Sequence, residues 1–208
     1  MELGTPLTEE GVVLTPLSLM VLIIYAHPSH EGHSGYFLSE TVKLLEEKKI
    51  SYGLLDLYAL KYDPLLRKEE VYSLNAREVS SATKNMQKKI SDHDLFIFIF
   101  PVWWGSMPAI LKGFFDKTLT PGFAFRFVHG IPVKLLKGKR AIAFMPSGYP
   151  RLISFFRFRN APHYLLSAEI LGFCGIKTKT YVLGSSRRFT EERKKKIERI
   201  VKRALKNI

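Results

Sequence analysis

The sequence predicts an α/β protein on a five-stranded parallel sheet in the order 2-1-3-4-5, with helices on both faces. Three observations lead there. Short apolar runs of strand length alternate along the chain with segments of helical spacing. One run, Leu95–Phe100, is almost entirely branched or aromatic, as a central strand buried on both faces requires. The length, 208 residues, and an ordinary composition of 46% hydrophobic and 25% charged residues suit one large core.

Taken in order, Met20–Tyr25 is too short for a core helix and long enough for a buried strand. Tyr36–Lys49 then places Phe37/Leu38, Thr41/Val42 and Leu44/Leu45 on one helical face. Tyr52–Leu57 reads as the second strand and Glu78–Ile90 as a more polar helix. After the third strand, Leu95–Phe100, Pro108–Leu119 opens with a proline suited to a first helical turn. Thr120–Lys137 reads as a long, aromatic-rich connection. Ala141–Met145 is the fourth strand, Ala161–Phe173 a helix ending near Gly172 and Gly175, and Thr178–Leu183 the fifth strand. The last helix has Thr190 as N-cap, with Glu191 and Glu192 where the helix dipole favours anions. Its apolar stripe is Ile197, Ile200/Val201, Ala204/Leu205 and Ile208.

Residues 1–19 carry Glu2, Glu9 and Glu10 but no Lys or Arg, so they read as an N-terminal extension rather than a signal peptide, ahead of one domain over 20–208. No apolar run approaches the ~18 residues of a membrane span, so no stable membrane anchor is expected. A lone cysteine, Cys174, excludes an intrachain disulfide framework and a cysteine-built zinc or iron–sulfur site, and fits a reducing cytoplasm. The net charge is 32 − 19 = +13, of which +5 falls on the last helix. Such a balance attracts any polyanion and selects none; the basic helix reads as a solvated back face, and no nucleic-acid partner is expected.

In this fold, ligands bind beyond the strand C-termini where the strand order reverses. The loop after strand one, His27-Pro28-Ser29-His30-Glu31-Gly32-His33-Ser34-Gly35-Tyr36, matches neither a dinucleotide nor an NTPase fingerprint. Leading into a helix start, it suits one phosphate of a mononucleotide or flavin. His27, His30 and His33 have Glu31 as their only nearby carboxylate, so no metal site is expected. After strand three comes Pro101-Val102-Trp103-Trp104-Gly105-Ser106-Met107-Pro108, with both tryptophans side by side. Adjacent residues of an extended chain face opposite ways, so at most one indole belongs to the core and the other offers a flat surface to a planar ring. The third loop, Pro146-Ser147-Gly148-Tyr149-Pro150, lets backbone amides approach a ligand.

The stretch from Val21 to about Ser185 resembles the flavodoxin-like NAD(P)H–quinone reductase family, which also holds small flavin reductases and potassium-efflux ancillary proteins. The resemblance is carried by Tyr25-Ala26-His27-Pro28, Leu55-Asp56-Leu57-Tyr58 with Asp63-Pro64, and Phe100-Pro101-Val102-Trp103-Trp104-Gly105. Pro108 to Asp116, Gly122-Phe123-Ala124-Phe125 and Ile170-Leu171-Gly172-Phe173-Cys174-Gly175 extend it. It implies a three-layer flavodoxin-like fold, a non-covalent FMN or FAD, NAD(P)H as co-substrate and a quinone or similar acceptor. It places His27, His33, Ser34 and Gly35 around the flavin phosphate and Pro101, Val102, Trp103, Trp104 and Gly105 along the ring. Ser147, Gly148 and Tyr149 fall at the pyrimidine edge.

The resemblance further implies a homodimer in which Phe125 and Phe127 of the partner, with Trp104, meet the substrate. Family members stabilise reduced flavin with a Tyr and a His just after the third loop, a role that falls to Tyr149 and, in a different register, His163. The first loop is at least one residue longer than usual, and the third reads Pro-Ser-Gly-Tyr where the family has a Thr-Thr-Gly-Gly-like string. Arg151, Arg157 and Arg159 form a basic strip suited to a nicotinamide nucleotide phosphate. The competing reading is a flavodoxin-type electron carrier with no nicotinamide site, a class that is usually acidic and shorter.

Overall fold

The computed structural model describes residues 19–71, 79–150, 153 and 160–208. Its parallel sheet contains β1 (Val21–Tyr25), β2 (Tyr52–Asp56), β3 (Leu95–Ile99), β6 (Arg140–Pro146) and β7 (Lys177–Leu183), ordered β2-β1-β3-β6-β7. This is the expected 2-1-3-4-5 arrangement once a separate hairpin is set aside. That hairpin, β4 (Phe125–Val128) and β5 (Ile131–Lys134), occupies what reads in the sequence as a plain connection. Its turn, His129-Gly130, has positive φ at both residues (50° and 77°), the two-residue geometry that matches strand twist.

Side-chain alternation along the strands divides the core in two. Val21, Ile23 and Tyr25 of β1, with Leu95, Ile97 and Ile99 of β3, face α1 (Gly32–Glu47) and α5 (Glu191–Ala204). There Phe37 stacks on Phe144 with centroids 4.9 Å apart, and Ile197, Val201 and Leu205 supply the buried stripe of α5. Leu22 and Ile24, with Phe96 and Phe98, face α2 (Ser81–Ser91), α3 (Ala109–Thr118) and α4 (residues 161–174) through Ile90, Leu111, Phe114, Phe115, Leu166 and Leu171. Each fully buried side chain of this kind contributes about 1.5–3 kcal/mol, so both faces hold the sheet rigid beneath the loops.

Helix α4 comprises Ala161–Tyr164 and Leu171–Cys174 in α geometry with Leu165–Ile170 between them as a π-helix. Gly172 makes the irregular turn possible: a Cβ there would lie 2.5 Å from the Ser167 carbonyl oxygen. Cys174 is buried, and burial pushes its thiol up to about 11. Thr190 caps α5 as expected, its Oγ1 accepting from Arg193 N. Helix α1 begins four residues earlier than its apolar spacing indicates, which brings His33, Ser34 and Gly35 into the first turn.

Parallel register brings the C-termini of β1, β3 and β6 to one edge, with Tyr25 opposite Ile99 and Ile99 opposite Phe144. The loops beyond are cross-linked through backbone. Ala26 N donates to Ile99 O (3.0 Å), Val102 N to Pro146 O (2.8 Å) and Ser147 N to Leu183 O (2.8 Å).

Candidate functional site

The loop after β1 is pinned from several sides. Tyr25 is buried and its hydroxyl donates to Ser29 O at 2.7 Å; burial and the nearby Asp56 charge push its phenol well above the usual range. The His27 ring is fixed by Nδ1, which sits 3.1 Å from Ser29 N and 2.6 Å from Ser29 O. Ser29 Oγ accepts from Glu31 N at 3.0 Å. His30 reaches back 2.5 Å from Nε2 to Oδ2 of Asp56, a buried carboxylate at the end of β2. The other Asp56 oxygen accepts from Tyr58 N and Ala59 N.

Such anchoring aims the start of α1 at the crevice. Glu31 is the N-cap residue in extended conformation, and its side chain makes no capping hydrogen bond. The first-turn amides over Gly32, His33 and Ser34 therefore keep the partial positive charge of an open helix N-terminus. His33 adds an imidazole whose Nε2 is buried and has no hydrogen-bond partner among the described residues. Burial first, and the Arg193 charge second, hold His33 below its ordinary pKa, against an opposing bond to the Arg188 carbonyl.

Across the crevice, Trp103-Trp104-Gly105-Ser106 closes a tight turn. Trp103 N donates to Ser106 O and Ser106 N to Trp103 O, both at 2.9 Å. Positive φ at Trp104 (51°) and Gly105 (76°) makes this a two-residue hairpin turn. Neither indole belongs to the core: Trp103 is 40% exposed and Trp104 wholly exposed. This agrees with the expectation that at most one would be buried, and the reversal of the chain at Trp104-Gly105 leaves both outside the core. The Trp103 ring lies 6.0 Å from that of His27, centroid to centroid.

The third wall is the turn after β6. Ser147 is buried and bridges to Val102, so two of the three loops meet directly. The segment after β7 supports it from behind, with Ser186 N donating to Ser147 O (2.8 Å) and Ser185 N to Tyr149 O (2.9 Å). Gly148 has open space where a Cβ would stand, and Tyr149 is half-exposed.

Together these walls enclose a crevice of about 820 Å³. Of the residues singled out in the sequence, His27, His33, Ser34, Pro101, Val102, Trp103, Trp104, Ser147, Gly148 and Tyr149 line it. Gly35 and Gly105 stand behind the lining; a Cβ on Gly35 would lie 1.4 Å from the His30 carbonyl oxygen, so this glycine lets the loop lie against the helix. His163 is not brought to the crevice: it sits on α4 with Nδ1 2.6 Å from Thr180 Oγ1 on β7. Phe125 and Phe127 lie on the hairpin, where Phe125 packs on Phe173, and reach no part of this chain's crevice. Arg151, Arg157 and Arg159 lie outside the described residues.

Glu31, Gly32 and Pro146, members of the first and third loops not singled out as site residues, also line the crevice, and Ile153 and Ser186 line it from outside the three loops. Ser186 follows β7, away from the reversal of strand order, and no local pattern marks it. One end of the crevice offers helix amides and imidazole to an anion, and the other offers exposed aromatic faces to a flat ring.

A family model described as "Flavodoxin-like fold" matches residues 20–208. A Haemophilus influenzae protein named an uncharacterized NAD(P)H oxidoreductase is 29% identical over 165 residues, covering 78% of this chain and 81% of its own. Human ribosyldihydronicotinamide dehydrogenase [quinone] is 33% identical over 145 residues, covering 62% of this chain and 63% of the human one. Among solved structures, an FMN-dependent NADH-azoreductase from Bacillus anthracis in complex with FMN superposes with a TM-score of 0.67 at 19% identity, covering 89% of this chain and 99% of that one. That likeness is one of fold.

Proposed function

The chain belongs to the flavodoxin-like fold family, and from that premise we propose that it is a flavin-dependent NAD(P)H oxidoreductase passing two electrons to a quinone or a similar small acceptor. One observation carries the reading: a single crevice joins an uncapped helix N-terminus to two exposed indoles held on a rigid turn. The residues present fit a flavin. The orphaned, buried Nε2 of His33 and the free amides of α1 suit its phosphate, and the apolar wall from Pro101 to Trp104 suits its ring. The NAD(P)H oxidoreductase and quinone dehydrogenase names of the relatives support the activity and disfavour a plain electron carrier.

When bound, FMN or FAD supplies the two-electron chemistry between the nicotinamide and the acceptor. The chain does the rest. His27, His33 and Ser34 hold the phosphate end, with Gly35 keeping the His30 carbonyl close behind them. Pro101, Val102 and Trp103 orient the ring, with Gly105 reversing the chain beneath them. Ser147, Gly148 and Tyr149 present backbone and hydroxyl groups to its polar edge. Trp104 gives the substrate a stacking surface that excludes water from the reacting face. His163, engaged with Thr180, takes no part.

A second copy completes the site, its Phe125 and Phe127 closing the crevice over the substrate; the exposure of Trp104 and of Phe127 (53%) supports this. Residues 20–208 form the flavin-binding domain. No helix among the described residues is long and apolar enough to cross a membrane, and we place the enzyme in the cytoplasm, in keeping with its single, buried thiol.

The test is an absorbance spectrum of the purified protein with chromatography of the released cofactor, then anaerobic NADPH and menadione. The expected result is a flavin band that NADPH bleaches without added reductase and menadione restores. A colourless protein that takes up neither FMN nor FAD at saturating concentration refutes the reading. A flavin band that NADH and NADPH leave untouched returns the protein to the carrier class.

A further inference from the structure

A second groove, about 360 Å³, runs between the free edge of β7 and one flank of α5. Strand β7 pairs only with β6 among the described residues. Its bonds to that side use odd-numbered positions: Lys177 N donates to Lys139 O, and Leu183 O accepts from Ser147 N. Peptide groups alternate direction along a strand, so those of Thr178, Thr180 and Val182 face the open edge. Thr180, Val182 and Gly184 line the groove.

Over this edge stand Arg193, Lys196, Ile200 and Arg203. Their spacing, i, i+3, i+7 and i+10, makes a straight stripe about 15 Å long at the helical rise of ~1.5 Å per residue. The strand floor of the groove, Thr180 to Leu183, spans about 10 Å at ~3.3 Å per residue, and Gly184 and Ser185 continue the groove beyond the strand. Floor and stripe therefore run together over about four residues of extended chain. No carboxylate lines the groove, and none of the three cations forms an ion pair among the described residues. Arg193 Nη1 reaches the Gly184 carbonyl at 3.1 Å, and the Arg203 guanidinium lies 5.7 Å from the Tyr181 ring centroid, which holds both along the groove.

We propose that this groove binds an extended acidic segment of another protein, which adds to β7 as a further strand and sets its carboxylates against Arg193, Lys196 and Arg203. The unpaired backbone groups call for an extended chain rather than a compact anion. The charges choose which one. Lys177 and Lys179 on β7 itself, together with the stripe on α5, repel a basic strand and give a neutral one no charge partner, and a second copy's β7 presents the same positive face. A strand with alternating carboxylates satisfies both backbone and charge.

The experiment uses the full chain with its flavin and a fluorescein-labelled peptide alternating glutamate with valine. Fluorescence anisotropy measures binding, and hydrogen exchange measures the Thr180 and Val182 amides. The expected result is saturable binding, with exchange slowed at those two amides. Lys196→Glu combined with Arg203→Glu weakens binding at least about ten-fold and leaves kcat at saturating NADPH unchanged. The idea is overturned if the peptide does not bind, or if exchange at Thr180 and Val182 is unaltered. It also fails if a backbone N-methylated peptide of the same charge binds equally well. Should a duplex DNA probe bind this stripe and displace the peptide without protecting those amides, the surface is a nucleic-acid one instead.

Discussion

Gly35→Ala separates packing from helix propensity at the phosphate end of the crevice. Gly35 lies in the first turn of α1 with ordinary helical φ, and in an open helix the alanine would stabilise by about 1 kcal/mol. Here the new Cβ would sit 1.4 Å from the His30 oxygen, 2.2 Å from its carbonyl carbon and 2.9 Å from its Cα. An ordinary contact needs about 3.5 Å, so the backbone at His30 must retreat by about 2 Å. A shift of that size breaks the His30–Asp56 contact and the Tyr25–Ser29 hydrogen bond, leaving a buried carboxylate short of a partner. Overpacking costs about 1–3 kcal/mol and each lost buried bond about 1–3 kcal/mol. After the helix gain, a net loss of about 2–8 kcal/mol remains.

Gly113 provides the comparison. Its Cβ would meet the Pro64 oxygen at 2.2 Å, a milder but still forbidden backbone clash on α3, outside the crevice lining. Urea denaturation of the apo forms measures stability, and flavin fluorescence quenching measures affinity under conditions where both variants are folded. Both substitutions are expected to lose stability, but Gly35→Ala also loses at least about ten-fold in FMN affinity while Gly113→Ala stays within about two-fold. The reasoning fails if Gly35→Ala keeps wild-type stability or affinity, or if Gly113→Ala loses flavin to the same degree.

Trp104→Asn replaces a bulky residue at φ 51° by one that suits the left-handed region, so the apo protein gains about 1 kcal/mol in thermal denaturation while NADPH turnover falls several-fold. An apo protein less stable than wild type would show that the indole has packing partners. His33 is held below its ordinary 6.5, so the unfolded chain takes up the proton first as pH falls. Its stabilising contribution is complete above about pH 7 and is lost as pH drops through 6.5 toward the folded value. In urea titrations from about pH 8 to about pH 5, His33→Gln flattens the apo profile, and an unchanged slope refutes the assignment. The long-range field of the +13 chain attracts the anionic NADPH. Raising salt from about 0.05 to about 0.5 M therefore lowers kcat/KM for NADPH several-fold and leaves the KM for uncharged menadione unchanged.

Sheet order, both faces of the core and most of the crevice were legible in the sequence because they follow from periodicity and strand alternation. Leu95–Ile99 has no polar residue, and only a central strand accommodates that. The start of α1 was not legible. His33, Ser34 and Gly35 carry no apolar period, and what places them is the contact of His30 with Asp56, 26 residues away. The π-helical stretch of α4 is likewise set by tertiary packing, and with it the position of His163 against Thr180. The hairpin had a local signal, positive-φ residues at His129-Gly130 between two alternating runs, hidden by a proline at Pro132 that a two-stranded edge tolerates.

The two ends of the crevice are stabilised in different ways, and the difference bears on how it binds. At the helix end, Tyr25, Ser29, His30 and Asp56 satisfy one another before any ligand arrives, so little ordering cost remains. At the ring end, the chain holds Trp104 in a left-handed conformation and leaves its indole in water, an unfavourable arrangement of about 1–3 kcal/mol that no contact among the described residues offsets. Contact with a flat ligand, or with a second copy, returns that energy by desolvating the indole without moving the turn. The backbone bonds from Val102 to Pro146 and from Ser147 to Leu183 keep the turn where the sheet places it. A phosphate end whose supporting loop is pinned in advance, with the α1 amides left open to the ligand, and a ring end that is relieved only on contact make retention of the cofactor a property of the first loop. Exchange of substrates is then a property of the second, which is the division that a site serving two substrates in turn requires.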